Sequence, residues 1–274
     1  MQKESISSII KIDPFFVDSL KDENEQKKKT LLLASLSILS SHLCAGTMGE
    51  AVSPRHWSGV ITATVGPDFV NPGQSQTLTL LPPFQNHYTK GNASQAVVDA
   101  GGFIGVEWAW SEKWSAQLGA SGYWDSSMTV KGDVWQFALP EFDDLSYTYH
   151  INHARVMASA KLLTTLIQPS LHPYVSGEIG AAFNQASGYK ETPLEVGAIP
   201  TPPFSNHSQT SFAWGVGVGV DYNLNQQIRL GVGYQFADLG SASLGQTTAE
   251  LTGQSLSLSH LYANQLRFQL TILV

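Results

Sequence analysis

From Trp57 to Val274 the chain alternates apolar and polar positions with a period of two, in eight separate stretches. The first, Trp57 to Gly66, sets Trp57, Ile61, Ala63 and Val65 against Ser58, Thr62 and Thr64. The second, about Val97 to Trp110, sets Val98, Ile104, Val106 and Trp108 against Asp99, Phe103 and Glu107. A third follows the turn Ser111-Glu112-Lys113 and runs to about Asp125, and a fourth covers about Tyr147 to Leu162. The fifth opens after Pro173 and the sixth is the most regular, with Phe212, Trp214, Val216, Val218, Val220 and Tyr222 against Ser211, three glycines and Asp221. The seventh begins at Ile228 after a tight turn, and the eighth carries Leu266, Phe268, Leu270 and Ile272. Short connections (111–113, 163–173, 223–226) alternate with long polar ones (67–96, 126–146, 185–209, 240–259). An even set of strands of about ten residues, joined long and short in turn, predicts an all-β fold. The expectation is an eight-stranded antiparallel up-and-down transmembrane β-barrel.

A soluble β-sandwich would show the same alternation, so the placement of aromatic residues matters. On the apolar faces Trp57, Trp108, Trp114 and Tyr222 fall at one end of the strands. Trp124, Phe183, Phe212, Phe236 and Tyr262 fall at the other. Two such girdles mark the water–lipid boundaries of a membrane protein. The charges within strands, including Asp99, all lie on the opposite, inward face.

Composition agrees. Charged residues are only 14% and hydrophobic residues 42%, and mean hydropathy is near zero, as expected when only every second residue meets lipid. Ahead of the strands, Lys27-Lys28-Lys29 precede an apolar run from Thr30 to Leu39 and small residues at Ser40, Ser41, Ala45 and Gly46. This is the layout of a cleaved export signal, too short to span a membrane. Residues 1–45 are therefore expected to be a signal peptide with an N-terminal extension, and 46–274 the barrel domain. Cys44, the one cysteine, leaves with the signal. The remainder holds 9 Lys+Arg against 16 Asp+Glu, an acidic balance that argues against nucleic acid as a partner.

The segments Trp57-Ser-Gly-Val-Ile61, Pro173-Tyr-Val-Ser-Gly-Glu178, Gly215-Val-Gly-Val-Gly219 with Asp221-Tyr222, and Gly231 through Gly240 resemble the small eight-stranded outer-membrane proteins of Gram-negative bacteria. These are the OmpA-like barrel and opacity-type surface-antigen group. The resemblance covers about residues 46–274. It implies an integral outer-membrane protein in contact with lipid and lipopolysaccharide. Within that group, adhesins, envelope anchors and narrow pores all occur. The terminal Val274 departs from the aromatic residue that commonly ends such chains.

An eight-stranded barrel is just wide enough for side chains to fill it. Glu107, Glu178 and Asp221 project inward with Arg155, Lys161, Arg229 and Arg267. Unpaired charges there would cost several kcal/mol each, so these seven are expected to form a network. The network would plug the lumen; the second reading is a narrow, porin-like channel lined by the same residues. A lipid A-modifying enzyme would need a serine beside an oriented histidine at the outer leaflet. His56-Trp57-Ser58 is at the wrong end, and His207-Ser208 has no evident acid partner, so no catalytic residues and no cofactor are expected. His150 and His153, three apart on one strand, point to opposite faces and form no metal pair. In 126–146, Trp135, Phe137 and Phe142 stand among acids including Asp143 and Asp144. They suit contact with a host or envelope protein, or alternatively fold onto the barrel rim. The reading that results is a non-enzymatic surface-antigen, adhesin or envelope-structural protein.

Overall fold

The structure is a computed structural model that describes residues 57–91, 94–165, 170–247 and 253–274. The signal expected over 1–45 lies outside the described residues. In chain order the strands are β1 (Trp57–Val70), β2 (Gln76–Leu81), β3 (Phe84–Tyr88), β4 (Gln95–Ser111), β5 (Trp114–Trp135) and β6 (Asp143–Thr164). They continue with β7 (Leu171–Pro193), β8 (His207–Asn223), β9 (Ile228–Asp238), β10 (Ala242–Ser243), β11 (Ser257–Leu258) and β12 (Tyr262–Leu273). Eight of them close a ring, β1-β4-β5-β6-β7-β8-β9-β12 and back to β1, with every pair antiparallel. The eight strands expected from the alternation are all present in this ring.

Pairing partners traced once round from Ile61 pass through Ile104, Ala120, Ala158, Ile179, Trp214, Asp238 and Tyr262. With Ala263 opposite Val70, the path returns to β1 ten residues further up. For eight strands that stagger tilts each by roughly 40° from the axis. Trp114 and Trp124, both exposed on the outer face of β5, are then ~33 Å apart along the strand and ~25 Å apart in height, the thickness of an apolar band. Trp57 stacks on Trp108 at the lower rim, ring centroids 5.5 Å apart, and Trp124, Phe183 and Phe212 stand exposed at the upper one.

Above that upper rim the two faces exchange character. The barrel continues outward, and there the interior is apolar: Met128, Val130 and Val134 on β5, Leu145, Tyr147, Tyr149 and Ile151 on β6, Ala186 and Tyr189 on β7 are buried. Loops fold over the mouth and complete this core with Leu78, Tyr88, Phe204, Leu239, Leu244, Leu256, Leu258 and Leu261. Glutamine side chains hold the first and last connections together. Gln76 Nε2 donates to the Ser257 carbonyl (2.9 Å), and Gln254 and Gln74 accept from the amides of Thr79 (2.7 Å) and Ser259 (3.1 Å).

Three expectations about connections are corrected here. The segment 126–146 is mostly strand: β5 runs on to Trp135 and β6 opens at Asp143, leaving two single 3-10 turns between them. Likewise 185–209 is strand as far as Pro193, and 67–96 contains the β2–β3 hairpin, of which β3 pairs with β5. The physical cause is a slip of phase. A β-bulge after Asp125 makes the inward positions of β5 switch from odd to even, and another near Gly188, with φ +70, switches those of β7 from even to odd. β1 keeps its phase throughout, with the even positions from Val60 to Val70 inward. A Cβ at Gly66 would collide with the Leu266 carbonyl, so only glycine allows the two strands to approach there.

Candidate functional site

Inward-pointing side chains from all eight barrel strands stack in three polar levels below the apolar cap. At the lowest, Arg229 on β9 grips Glu107 on β4 with two hydrogen bonds, Nη1 to Oε2 at 2.6 Å and Nη2 to Oε1 at 2.9 Å. Gln117 donates to the same carboxylate at 2.8 Å. This two-pronged geometry is the strongest an ion pair offers. Beside it Lys161 on β6 donates to Asp221 (3.0 Å) and to Gln269 (2.8 Å) and lies over the Tyr174 ring at 3.9 Å. Tyr174 fits because Gly219 and Gly233 face it; a Cβ at either would meet its hydroxyl.

At the middle level Arg267 on β12 donates to Glu178 on β7 (3.3 Å) and to the Tyr123 hydroxyl (3.1 Å), while Gln235 also donates to Glu178. Tyr123 is held between two guanidinium groups, Arg267 at 4.2 Å and Arg155 at 4.6 Å from its ring. At the upper level Arg155 reaches Asp125 (3.1 Å) and Asp99 (3.0 Å). Gln265 accepts from both Arg155 (3.3 Å) and Arg267 (2.8 Å) and donates to Asp68 (2.7 Å). His153 bonds Asn184 at 2.5 Å through Nδ1, and its Nε2 lies 3.7 Å from Asp125.

All seven inward charges named from sequence meet in these levels. Alternation also put Asp99, Asp125, His153 and Gln265 on the inward face without naming them as members, and it left out Asp68, Tyr123 and Tyr174. The charge balance differs by level. Glu107 and Asp221 are matched by Arg229 and Lys161. Above them Asp68, Asp99, Asp125 and Glu178 share only Arg155 and Arg267, all of them buried. Between the lower and middle levels is a polar chamber of about 50 Å³ lined by Thr62, Gln117, Ser176, Tyr174 and Gln269 among others, space for about three waters.

Above these levels the cap packs phenols together with the buried carboxylate Glu191. Tyr147 donates to the Thr89 carbonyl (2.9 Å) and Tyr189 to Glu191 (2.6 Å). Burial, then the neighbouring Asp133 charge, pushes the Tyr147 phenol up to about 12. Burial also pushes Tyr88, Tyr149 and Tyr189 up.

Of the residues expected to make loop contacts, Phe137 and Phe142 are exposed at the outermost tip, 5.5 Å apart, with Phe84 of β3 5.8 Å from Phe137. Trp135 is half-buried as the last residue of β5, its ring 5.0 Å from His87, and Asp143 and Asp144 open β6. Those three belong to strands and not to a free loop. Phe137 and Ala138 both take left-handed backbone (φ 57 and 56), a conformation that costs a non-glycine residue about 1–3 kcal/mol. The adjacent 194–199 segment, tied on by Gln136 to the Ile199 carbonyl (3.3 Å), adds exposed Leu194, Val196 and Ile199. His56 lies outside the described residues. His207 meets the Ser243 hydroxyl at 3.1 Å, and that hydroxyl's other partner is the amide oxygen of Gln209.

A closed ring of strands, lipid-facing outside and polar within, between two aromatic rims, defines an integral β-barrel of the outer membrane. The chain belongs to the outer membrane protein beta-barrel domain family, whose family model matches residues 63–263. Among solved structures, Neisserial surface protein A is similar over 78% of this chain and 96% of its own, at 12% identity and a TM-score of 0.36. OprG from Pseudomonas aeruginosa is similar over 79% and 97%, at 13% identity and 0.36. Ail, the attachment invasion locus protein of Yersinia pestis, is similar over 80% and 99%, at 9% identity and 0.31. No curated protein matches the chain.

Proposed function

We propose that this outer-membrane barrel is a non-enzymatic, non-conducting surface protein that binds a host or envelope partner through its extracellular tip. Residues 1–45 serve to export it. The observation that carries this reading is the contrast between interior and tip. The lumen is occupied by paired charges and then by an apolar cap, while Phe84, Phe137, Leu139 and Phe142 are left exposed beyond them. Exposed aromatics on a strained turn, next to Glu141, Asp143 and Glu195, have the composition of a contact surface for a partner with apolar and basic groups. Ion pairs below and packed tyrosines above favour a plugged lumen over a narrow pore, since a continuous water path must open both.

Two measurements test the halves of the proposal separately. Planar-bilayer recordings of the native barrel should give no stable conductance; large steady currents would establish the pore instead. Cells displaying Phe137→Ser/Phe142→Ser should lose adherence while the barrel keeps its heat-dependent gel mobility. Full adherence by that variant would remove the tip from the binding role.

A further inference from the structure

Asp125 on β5 and His153 on β6 are paired opposite one another, one residue beyond Trp124 and the upper rim. Both side chains point inward and are wholly buried. The neighbours of the histidine ring fix where its hydrogens lie. Asn184 donates its amide hydrogens to two carbonyls, Leu239 at 3.1 Å and Ser241 at 2.7 Å. Its Oδ1 is therefore the acceptor that faces His153, and Nδ1 of the ring carries the hydrogen between them. Nε2 is left without a hydrogen-bond partner among the described residues, 3.7 Å from Oδ2 of Asp125. A bare ring nitrogen and an ionised carboxylate are both acceptors. Set against each other away from water, they lose hydration and gain nothing in exchange.

We propose that His153 and Asp125 bind one proton between them, and that this shared proton fastens the cap to the barrel. Placed on either group, it turns two facing acceptors into a donor and an acceptor. The surrounding charges favour its capture. Asp68 on β1, Asp99 on β4 and Glu178 on β7 join Asp125 against only Arg155 on β6 and Arg267 on β12, with the Tyr123 phenol between the two guanidinium groups. On β8 and β9 the inward residues Ser211, Ala213, Gln235 and Ala237 carry no charge. The connection above brings only Leu239, Gly240 and Ser241. Four acids thus face two bases, and one bound proton halves the excess. The carbonyls that Asn184 holds lie in the connection between β9 and β10, whose Leu239 belongs to the cap core. Loss of the proton sets Nε2 against the Asp125 carboxylate, turns the ring away and loosens that hold. The cap stays fastened in acid and is released as the medium becomes alkaline.

The test follows urea unfolding of the refolded barrel in lipid vesicles from about pH 7 to about pH 8, where an unfolded chain leaves Asp and His largely without protons. A folded site that keeps one proton the unfolded chain has released loses stability as pH rises, by up to about tenfold in the unfolding equilibrium per pH unit. Wild type should therefore weaken about tenfold more per unit than Asp125→Asn, whose amide donates to Nε2 with nothing to titrate. His153→Gln should lose the same dependence, and Asp68→Asn should keep it. Equal slopes in wild type and Asp125→Asn would overturn the shared proton. A slope lost only in Asp68→Asn would overturn it too, by placing the proton on a different acid. If the variants fail to refold, amide exchange of residues 239–243 in wild-type barrel decides alone. It should quicken over this range by more than base catalysis requires, and exchange that follows base catalysis alone would overturn the fastening.

Discussion

Arg155 is the residue on which the barrel's upper interior turns. It is fully buried and bonds Asp99, Asp125 and Gln265. Removing it would take the guanidinium partner from buried Asp125 and leave Asp99 to Arg267, and Arg155→Ala should lower stability by about 3–5 kcal/mol. Asp68 reports the opposite case. It is the carboxylate reached only through Gln265, in a level where acids outnumber bases. Asp68→Asn keeps the shape and removes one charge, so it should leave stability unchanged or raise it. Urea unfolding of the refolded barrel in lipid vesicles compares the two variants, and an equal loss from both would contradict the charge imbalance. At the tip, Ala138→Gly should add about 0.5–1 kcal/mol by relieving left-handed backbone strain; proteolysis of the 136–142 turn should slow accordingly.

At the scale of elements, the β5–β6 hairpin and the loops packed on it form a cap whose stability rests on neutral phenols. Tyr147 ionises near 10 in an unfolded chain and near 12 in the cap. An acid whose proton is held more tightly when folded contributes no loss below the unfolded value. It becomes destabilising as pH rises from about 10 towards 12. Tyr88, Tyr149 and Tyr189 shift in the same direction, so the cap should loosen through that window before the lipid-embedded strands do. Tyrosinate absorbance followed together with protease sensitivity of the β2–β3 hairpin measures it; a cap unaltered at pH 12 would contradict the assignment. These elements also show what the sequence could and could not disclose. Eight strands and their inward charges were legible because period-two alternation runs unbroken between the aromatic rims. The upward extensions of β5 and β7 were not, because the bulges at Ser126-Ser127 and near Gly188 break the phase. Past the bulge in β5 the inward residues are apolar, so Met128, Val130 and Val134 fell within an expected loop. Asp68 was missed for a different reason: the first strand was ended at Gly66, whereas β1 runs in phase to Val70.

For the whole molecule, the proposed plug of the lumen divides closure between two kinds of barrier, ion pairs within the membrane and packed apolar groups outside it. Opening one leaves the other. Glu107→Gln, which weakens the lowest pair, should therefore produce no steady current by itself, and removal of the β2–β3 hairpin should produce none either. Only the combination should conduct, and bilayer recordings of the three variants check it. Current from either single variant would place the barrier at one level.

The exchange of faces above Trp124 and Phe183 also settles how deep the barrel floats. A move outward by one pair of residues, ~5 Å at this tilt, would lift rim aromatics into water. A move inward by the same amount would drag Asn152 and Gln185, the row next above Ala154 and Phe183, into oil. Either displacement is penalised on every strand at once, so the molecule carries its own waterline. The tip consequently stands at a fixed distance above the cell surface whatever the thickness of the coat around it.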